Sequence, residues 1–192
     1  MMAPGLYGKL PGRGDFVRAG FDDATVHALD AWLSEGLAAW RGDDDADFAA
    51  RFAAAPHYRF YAPPGRFGAS ALHGVLSPSV DRAGRFFFLV AGAAGEAAVV
   101  WHAAVHCPWF ADATETAVYT ALGPDSCPDT LGAALADALP AGLEALPWRA
   151  ALALPVEAIF WAEPLDDEAP LVVRSPFTDA GLLARLLDGG EA

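Results

Sequence analysis

Ser70-Ala71-Leu72-His73-Gly74-Val75-Leu76, Ser77-Pro78-Ser79-Val80-Asp81-Arg82-Ala83-Gly84-Arg85 and Phe86-Phe87-Phe88-Leu89-Val90-Ala91 follow one another without a break. The first segment reads as a strand, with Gly74 allowing close approach. The second is a polar connection and the third a buried strand. Two strands joined by so short a loop pair antiparallel, because a parallel partner needs a crossover of about a dozen residues or more.

The pattern extends on both sides of this hairpin. His57-Tyr58-Arg59-Phe60-Tyr61-Ala62 alternates and stands between Pro56 and the turn Pro63-Pro64-Gly65, which makes it a further strand. Before it, Val26, Leu29, Ala31, Trp32, Leu33, Leu37 and Trp40 recur at helical spacing behind a cap at Asp22 or Asp23. Trp32 and Trp40 are expected in the core. Asp43-Asp44-Asp45 reads as a solvated helix start, with Phe48 and Phe52 one turn apart inside a second short helix. Gly5–Leu10 reads as an edge strand, Pro11–Asp15 as a loop, and Phe16, Val17 and Phe21 as local anchors.

Downstream, Ala97 to Leu139 is Ala-rich and helical, broken at Pro108 and at Gly123-Pro124, with a cap at Asp129 or Thr130. Pro140 to Pro155 reads as irregular, anchored by Trp148. Val156–Ala162 and Leu171–Arg174 read as strands joined by the acidic, Pro-rich stretch Glu163–Pro170. Thr178 or Asp179 caps a last helix, Gly181–Leu187, ended by Gly189-Gly190. The order β-αα-βββ-ααα-ββ-α describes an α+β protein: a single domain over residues 1–192, one antiparallel sheet with helices packed on it in an α/β sandwich.

The chain has 192 residues with a net charge of −13. A chain this acidic is not expected to bind nucleic acid or to sit on an anionic membrane, because both repel it. The longest apolar runs, Phe86–Gly92 and Ala97–Val105, are far shorter than the ~18–20 residues a membrane span requires, so no membrane insertion is expected. The N-terminal stretch lacks the apolar core of a signal peptide, and two cysteines make no disulfide framework. The chain reads as cytoplasmic.

Patterns for known chemistries fail one by one. Gly8-Lys9 is followed by Leu10 where a phosphate loop needs Ser or Thr. Val17 stands where a dinucleotide loop needs its third Gly. His102, His106, Cys107 and Cys127 include a helical pair of histidines at zinc spacing, but Ala103 stands where a zinc peptidase has Glu. No Gly-x-Ser-x-Gly occurs, and Ser77 and Ser79 have Asp81 nearby but no base beside it. No catalytic residue, metal or cofactor is expected, and the chain reads as no enzyme.

Two polar loops remain, Lys9–Phe16 and Ser77–Arg85. Each carries Arg and Asp on a backbone shaped by Gly and Pro, as an internal Arg–carboxylate brace requires. Asp15 and Asp81 are expected to pair with Arg13, Arg82 or Arg85 and staple strand ends. The same residues also suit a recognition surface for a partner protein, and loops on rigid scaffolds often do both. The candidate site is therefore Lys9, Arg13, Asp15, Ser79, Asp81, Arg82 and Arg85, as partner surface or as brace.

These residues carry a family resemblance. Gly8-Lys9-Leu10-Pro11-Gly12-Arg13-Gly14-Asp15-Phe16 resembles the N-terminal signature Gly-Lys-Leu-Pro-x-Arg-Gly-Asp-Phe of the TagF family of type VI secretion-associated proteins. Leu29-Asp30-Ala31-Trp32-Leu33 fits its Trp-Leu segment. Gly74 to Arg85 resembles a second signature, Gly-Val-x-x-Pro-Ser-Val-Asp-Arg-x-Gly-Arg, and Ala158–Glu163 and Leu186–Gly189 are also similar. The family usually continues as Arg-x-Phe-Pro-Leu, whereas this chain has Arg85-Phe86-Phe87-Phe88-Leu89. The resemblance implies an accessory protein that represses type VI secretion after translation, without known catalysis. It also implies partners among type VI secretion components, a forkhead-associated-domain scaffold protein among them. A second reading keeps an enzyme or small-ligand sensor with a pocket between the 8–18 and 74–85 loops, where Arg13, Arg82 and Arg85 hold a phosphate.

Overall fold

The computed structural model describes residues 1–41, 45–142, 154–162, 171–176 and 179–188. Seven antiparallel strands form one sheet: β1 (Met2–Gly8), β2 (Val17–Ala19), β3 (Tyr58–Ala62), β4 (Ala71–Val80), β5 (Phe86–Gly95), β6 (Ala158–Ala162) and β7 (Leu171–Ser175). Their spatial order is β2-β1-β5-β4-β3-β6-β7. Helices α1 (Asp23–Trp40), α2 (Asp45–Ala54) and α6 (Ala180–Leu187) cover one face. Helices α3 (Ala97–His106), α4 (Pro108–Ala121) and α5 (Pro128–Ala138) cover the other. The protein is α+β, with helices on both faces of an antiparallel sheet.

The two-residue period of the strands sorts the core. Tyr58, Phe60 and Ala62 of β3, with Leu72 and Leu76 of β4, face α1, α2 and α6. Tyr61, Ala71 and Val75 face the other three helices. The first face is rich in large rings: Trp32 lies against Phe67 and Phe160, and Phe52 against Phe86 and Phe88. The second face is built largely from alanine and valine, which bring α3, α4 and α5 close to the sheet.

Helix α1 forms where its spacing predicts, and Asp22 caps it by accepting the backbone N–H of Thr25 at 2.7 Å. Trp32 and Trp40 lie two turns apart on its buried stripe. Their indole N–H groups donate to the Asp179 carbonyl and to Asp188 Oδ1, at 2.9 and 2.7 Å. Those two acceptors stand at opposite ends of α6, so both tryptophans are core and clamp the last helix along its length. Asp179 caps α6 at its start, accepting from the Leu182 N–H at 2.9 Å.

Several expectations need correction. The N-terminal strand is not an edge: β1 begins at Met2 and lies between β2 and β5, and the edge is the short β2. Ser77–Val80 belong to β4 and pair with Phe86–Leu89, so the polar connection shrinks to four turn residues and Arg85. Helix α5 is capped at Cys127, with Pro128 in its first turn, rather than at Asp129 or Thr130. The expectations at Asp43-Asp44, Trp148, Glu163–Pro170, Thr178 and Gly189-Gly190 lie outside the described residues.

Candidate functional site

The two signatures meet at the β1 end of the sheet. Gly8 adopts φ +138° at the end of β1, and a Cβ there would stand 2.0 Å from the Phe88 carbonyl oxygen. Only glycine fits that conformation and space. Lys9 then donates its backbone N–H to the same Phe88 carbonyl at 3.0 Å. This fixes the loop beside β5.

The hairpin turn is set by Asp81 and Gly84. The Asp81 carbonyl accepts the Gly84 N–H at 2.9 Å, and Gly84 takes φ +78°. Asp81 Oδ1 accepts the backbone N–H groups of Ala83 and Arg85 at 2.8 and 3.0 Å. Its other oxygen, Oδ2, accepts Lys9 Nζ at 3.0 Å and Arg85 Nε at 2.7 Å. The Asp81 side chain is fully buried and Lys9 is nearly so, at 0% and 8% exposed.

Burial opposes the charge on Asp81. The Arg85 amide, the Lys9 ammonium, the Arg85 guanidinium and the Ala83 amide more than offset it, and the carboxyl is held well below the usual carboxylate range. Ser79 Oγ donates to the Lys9 carbonyl at 2.8 Å. Arg85 Nη2 donates to the Gly14 carbonyl, and the Arg82 N–H donates to the Arg13 carbonyl at 2.8 Å. Lys9, Ser79, Asp81 and Arg85 therefore bind the two loops into one body.

The remaining three candidates are placed differently. Arg13, Asp15 and Arg82 are exposed. Asp15 pairs with no arginine among the described residues, contrary to the expected second brace. Nor do Arg13, Arg82 and Arg85 form a set of three free cations, because Arg85 is paired with Asp81. Arg13 and Arg82, with Asp15, line an open cleft of about 380 Å³ that also includes Phe16 and Pro128.

Phe16 is a surface feature and not the expected buried anchor. Its ring is 49% exposed, stacks on Tyr7 with centroids 5.7 Å apart, meets Phe87 edge-on at 4.8 Å, and lies 5.1 Å from Lys9 Nζ. Nothing in the local spacing distinguishes such a half-supported ring from a core residue.

The sequence also gives no hint of the contact with α5. The Gly12 N–H donates to Ser126 Oγ at 3.0 Å, and Arg13 Nη2 lies 3.8 Å from Cys127 Sγ. Both partners are 114 residues away. The amides of Asp129 and Thr130, with help from Arg13, draw the Cys127 thiol below its ordinary value. Against α4 and α5 a wider groove of about 800 Å³ runs from Ala113 to Ala138, lined mostly by small side chains.

His102 and His106 have ring centroids 4.7 Å apart, but no group of three or more His, Cys, Asp or Glu among the described residues is placed to hold a metal. No helix among the described residues is long and apolar enough to cross a membrane.

The crystal structure of PA0076 from Pseudomonas aeruginosa PAO1 is similar, with a TM-score of 0.77 and 25% identity over 96% of this chain and 93% of that one. No curated protein sequence matches the chain. The family model of the TagF N-terminal domain, type VI secretion system-associated, matches residues 5–138. That span contains both signatures, the whole Lys9–Asp81–Arg85 brace and the cleft above it, and it is 134 of the 192 residues: the chain belongs to the TagF family of type VI secretion system-associated proteins.

Proposed function

We propose that this chain is an accessory regulator of type VI secretion that represses the machine after translation, in the cytoplasm, by protein–protein contact and not by catalysis. One observation carries the reading. The brace of buried Lys9, Ser79 and Asp81, closed from the surface by Arg85, holds up an exposed patch in which Phe16 is flanked by Arg13, Asp15 and Arg82. Such a surface suits recognition: aromatic rings and arginines on a rigid support supply much of the binding energy in protein interfaces. The proposed partner is a type VI secretion component, a forkhead-associated-domain scaffold protein being the first candidate.

The test uses tagged wild-type chain and a Phe16→Asp variant, both checked by thermal melting, in the source cell. The wild type should capture type VI components, and its overproduction should lower type VI-dependent release of protein into the medium. Phe16→Asp should melt close to the wild type and do neither. A wild-type chain that captures no type VI component and leaves secretion unchanged would end this reading.

A further inference from the structure

We propose that the cleft between the two signature loops binds an acidic side chain, carboxylate or phosphate, presented by an extended segment of the partner; this deepens, and rests on, the contact function proposed above. The charge distribution points there. Five of the twelve basic residues, Lys9, Arg13, Arg18, Arg82 and Arg85, fall within residues 9–18 and 82–85 of a chain whose net charge is −13. Lys9 and Arg85 are committed to Asp81, and Arg18 to Asp23. Arg13 and Arg82 pair with no carboxylate among the described residues, and both line the same cleft.

Their positions are built and not accidental. The hydrogen bond from the Arg82 N–H to the Arg13 carbonyl ties the two residues together through the backbone. Arg82 Nη2 passes over Gly14, only 3.8 Å from where a Cβ would stand. Pro128, in the first turn of α5, forms part of the lining, and no side chain caps that helix start. Two planar guanidiniums on one cleft suit a carboxylate or phosphate group.

Asp15 sits at the same rim and pairs with no cation among the described residues. Its charge disfavours a small free polyanion, and its carboxylate can accept a backbone N–H of a peptide that carries the acid. The net negative charge of the chain does not forbid this, because charges beyond ~8 Å are largely screened at physiological salt.

Fluorescence polarisation on the full chain tests the site with two labelled peptides of identical Gly/Ser context, one carrying glutamates and one a phosphothreonine. At least one should bind saturably and weaken as salt rises. Arg82→Ala and Arg13→Ala should each weaken it about tenfold, while Arg18→Ala leaves it unchanged. The tighter peptide identifies carboxylate or phosphate as the source, and unlabelled inorganic phosphate should compete only weakly. The Arg82 side chain makes no hydrogen bond within the described residues, so its loss should leave the melting temperature intact.

No saturable binding of either peptide up to about 1 mM, or binding indifferent to both arginine replacements, would overturn the proposal. Because the titration contains no secretion component, it can fail while capture of type VI components succeeds, and the reverse.

Discussion

The two faces of the sheet are held by different means. Toward α1, α2 and α6, β3, β4, β5 and β6 present Tyr58, Phe60, Leu72, Leu76, Phe88 and Phe160, and the helices answer with Trp32, Trp40, Phe48 and Phe52. Toward α3, α4 and α5 the side chains are on average smaller, with alanine and valine most frequent, and polar groups are buried among them: His73, Ser77, Ser79, Asp81 and Thr114. Arg59 also lies on this side, with Nε on Glu115 at 3.0 Å and Nη2 on Asp112 at 2.8 Å, both from α4. Large rings stabilise by area removed from water and tolerate small shifts. Buried polar groups stabilise only while every partner is in place. The candidate site belongs to the second kind, which explains how it can be rigid without being apolar.

The largest effect should come from hollowing the aromatic face. Phe160 is buried between Trp32, Tyr58 and Phe60, with ring centroids 5.9, 6.4 and 5.6 Å away. Phe160→Ala should cost ~3–5 kcal/mol, since the close-packed rings cannot collapse fully into the space left behind. Urea denaturation would show it as a lower midpoint at unchanged slope. A cost below 1 kcal/mol would mean that the ring packing is looser than these contacts imply.

On the polar face the matching test is Asp81→Ala. It strands the buried Lys9 ammonium and leaves the Ala83 and Arg85 amides without their acceptor. The expected loss is about 3 kcal/mol, because an unpaired buried charge costs more than a pair contributes. For a chain of this length that corresponds to a fall of roughly 6–12 °C in Tm. Lys9→Met in the same background should restore part of the loss, since it removes the stranded charge. A variant that melts like the wild type would show that the two loops are held by something other than this brace.

How much of this was legible beforehand follows the same division. The hairpin and α1 were readable because their signals are local: Pro and Gly punctuate the strands, and Trp32 and Trp40 fall two turns apart. The residues of the brace were readable as a group, but not their pairing. Which arginine takes Asp81 is decided by the turn that Gly84 closes, and that turn lays Arg85 across Asp81 and leaves Arg82 on the cleft. Ser77–Val80 read as a polar loop although they are strand, because Ser77 and Ser79 point into the polar face, where a buried position need not be apolar. The strand β2 escaped because, of its three residues, only Val17 is buried. The contact from Gly12 to Ser126 joins segments 114 residues apart, and no short-range pattern encodes it.

The smallest effect, and the one that best separates the faces, is on pH. His73 is buried on the polar face between Phe110 and Trp161, with ring centroids 5.4 and 5.8 Å away. Its Nδ1 lies 2.7 Å from the Phe60 carbonyl, and its Nε2 has no partner among the described residues. Burial pushes its pKa down to about 4, the Phe60 carbonyl acts the other way, and the Arg59 cation lowers it further. The unfolded chain therefore binds a proton near pH 6.5 that the folded chain refuses until about pH 4. Stability contributed by neutral His73 is complete above pH 6.5 and is lost as pH falls, by ~2 kcal/mol at pH 5 and ~3 kcal/mol at pH 4. Asp81 acts in a lower window, since its depressed pKa gives stability that is lost only as pH falls below the ordinary aspartate value of 3.8. His57 and His102 shift in the same direction as His73, so the whole chain will not isolate the effect. His73→Gln will: it should be less stable than the wild type at pH 7.5 but lose less stability between pH 7 and pH 4.5. Parallel slopes for the two proteins would mean that water or another acceptor reaches His73, and that the polar face is wetter than its burial indicates.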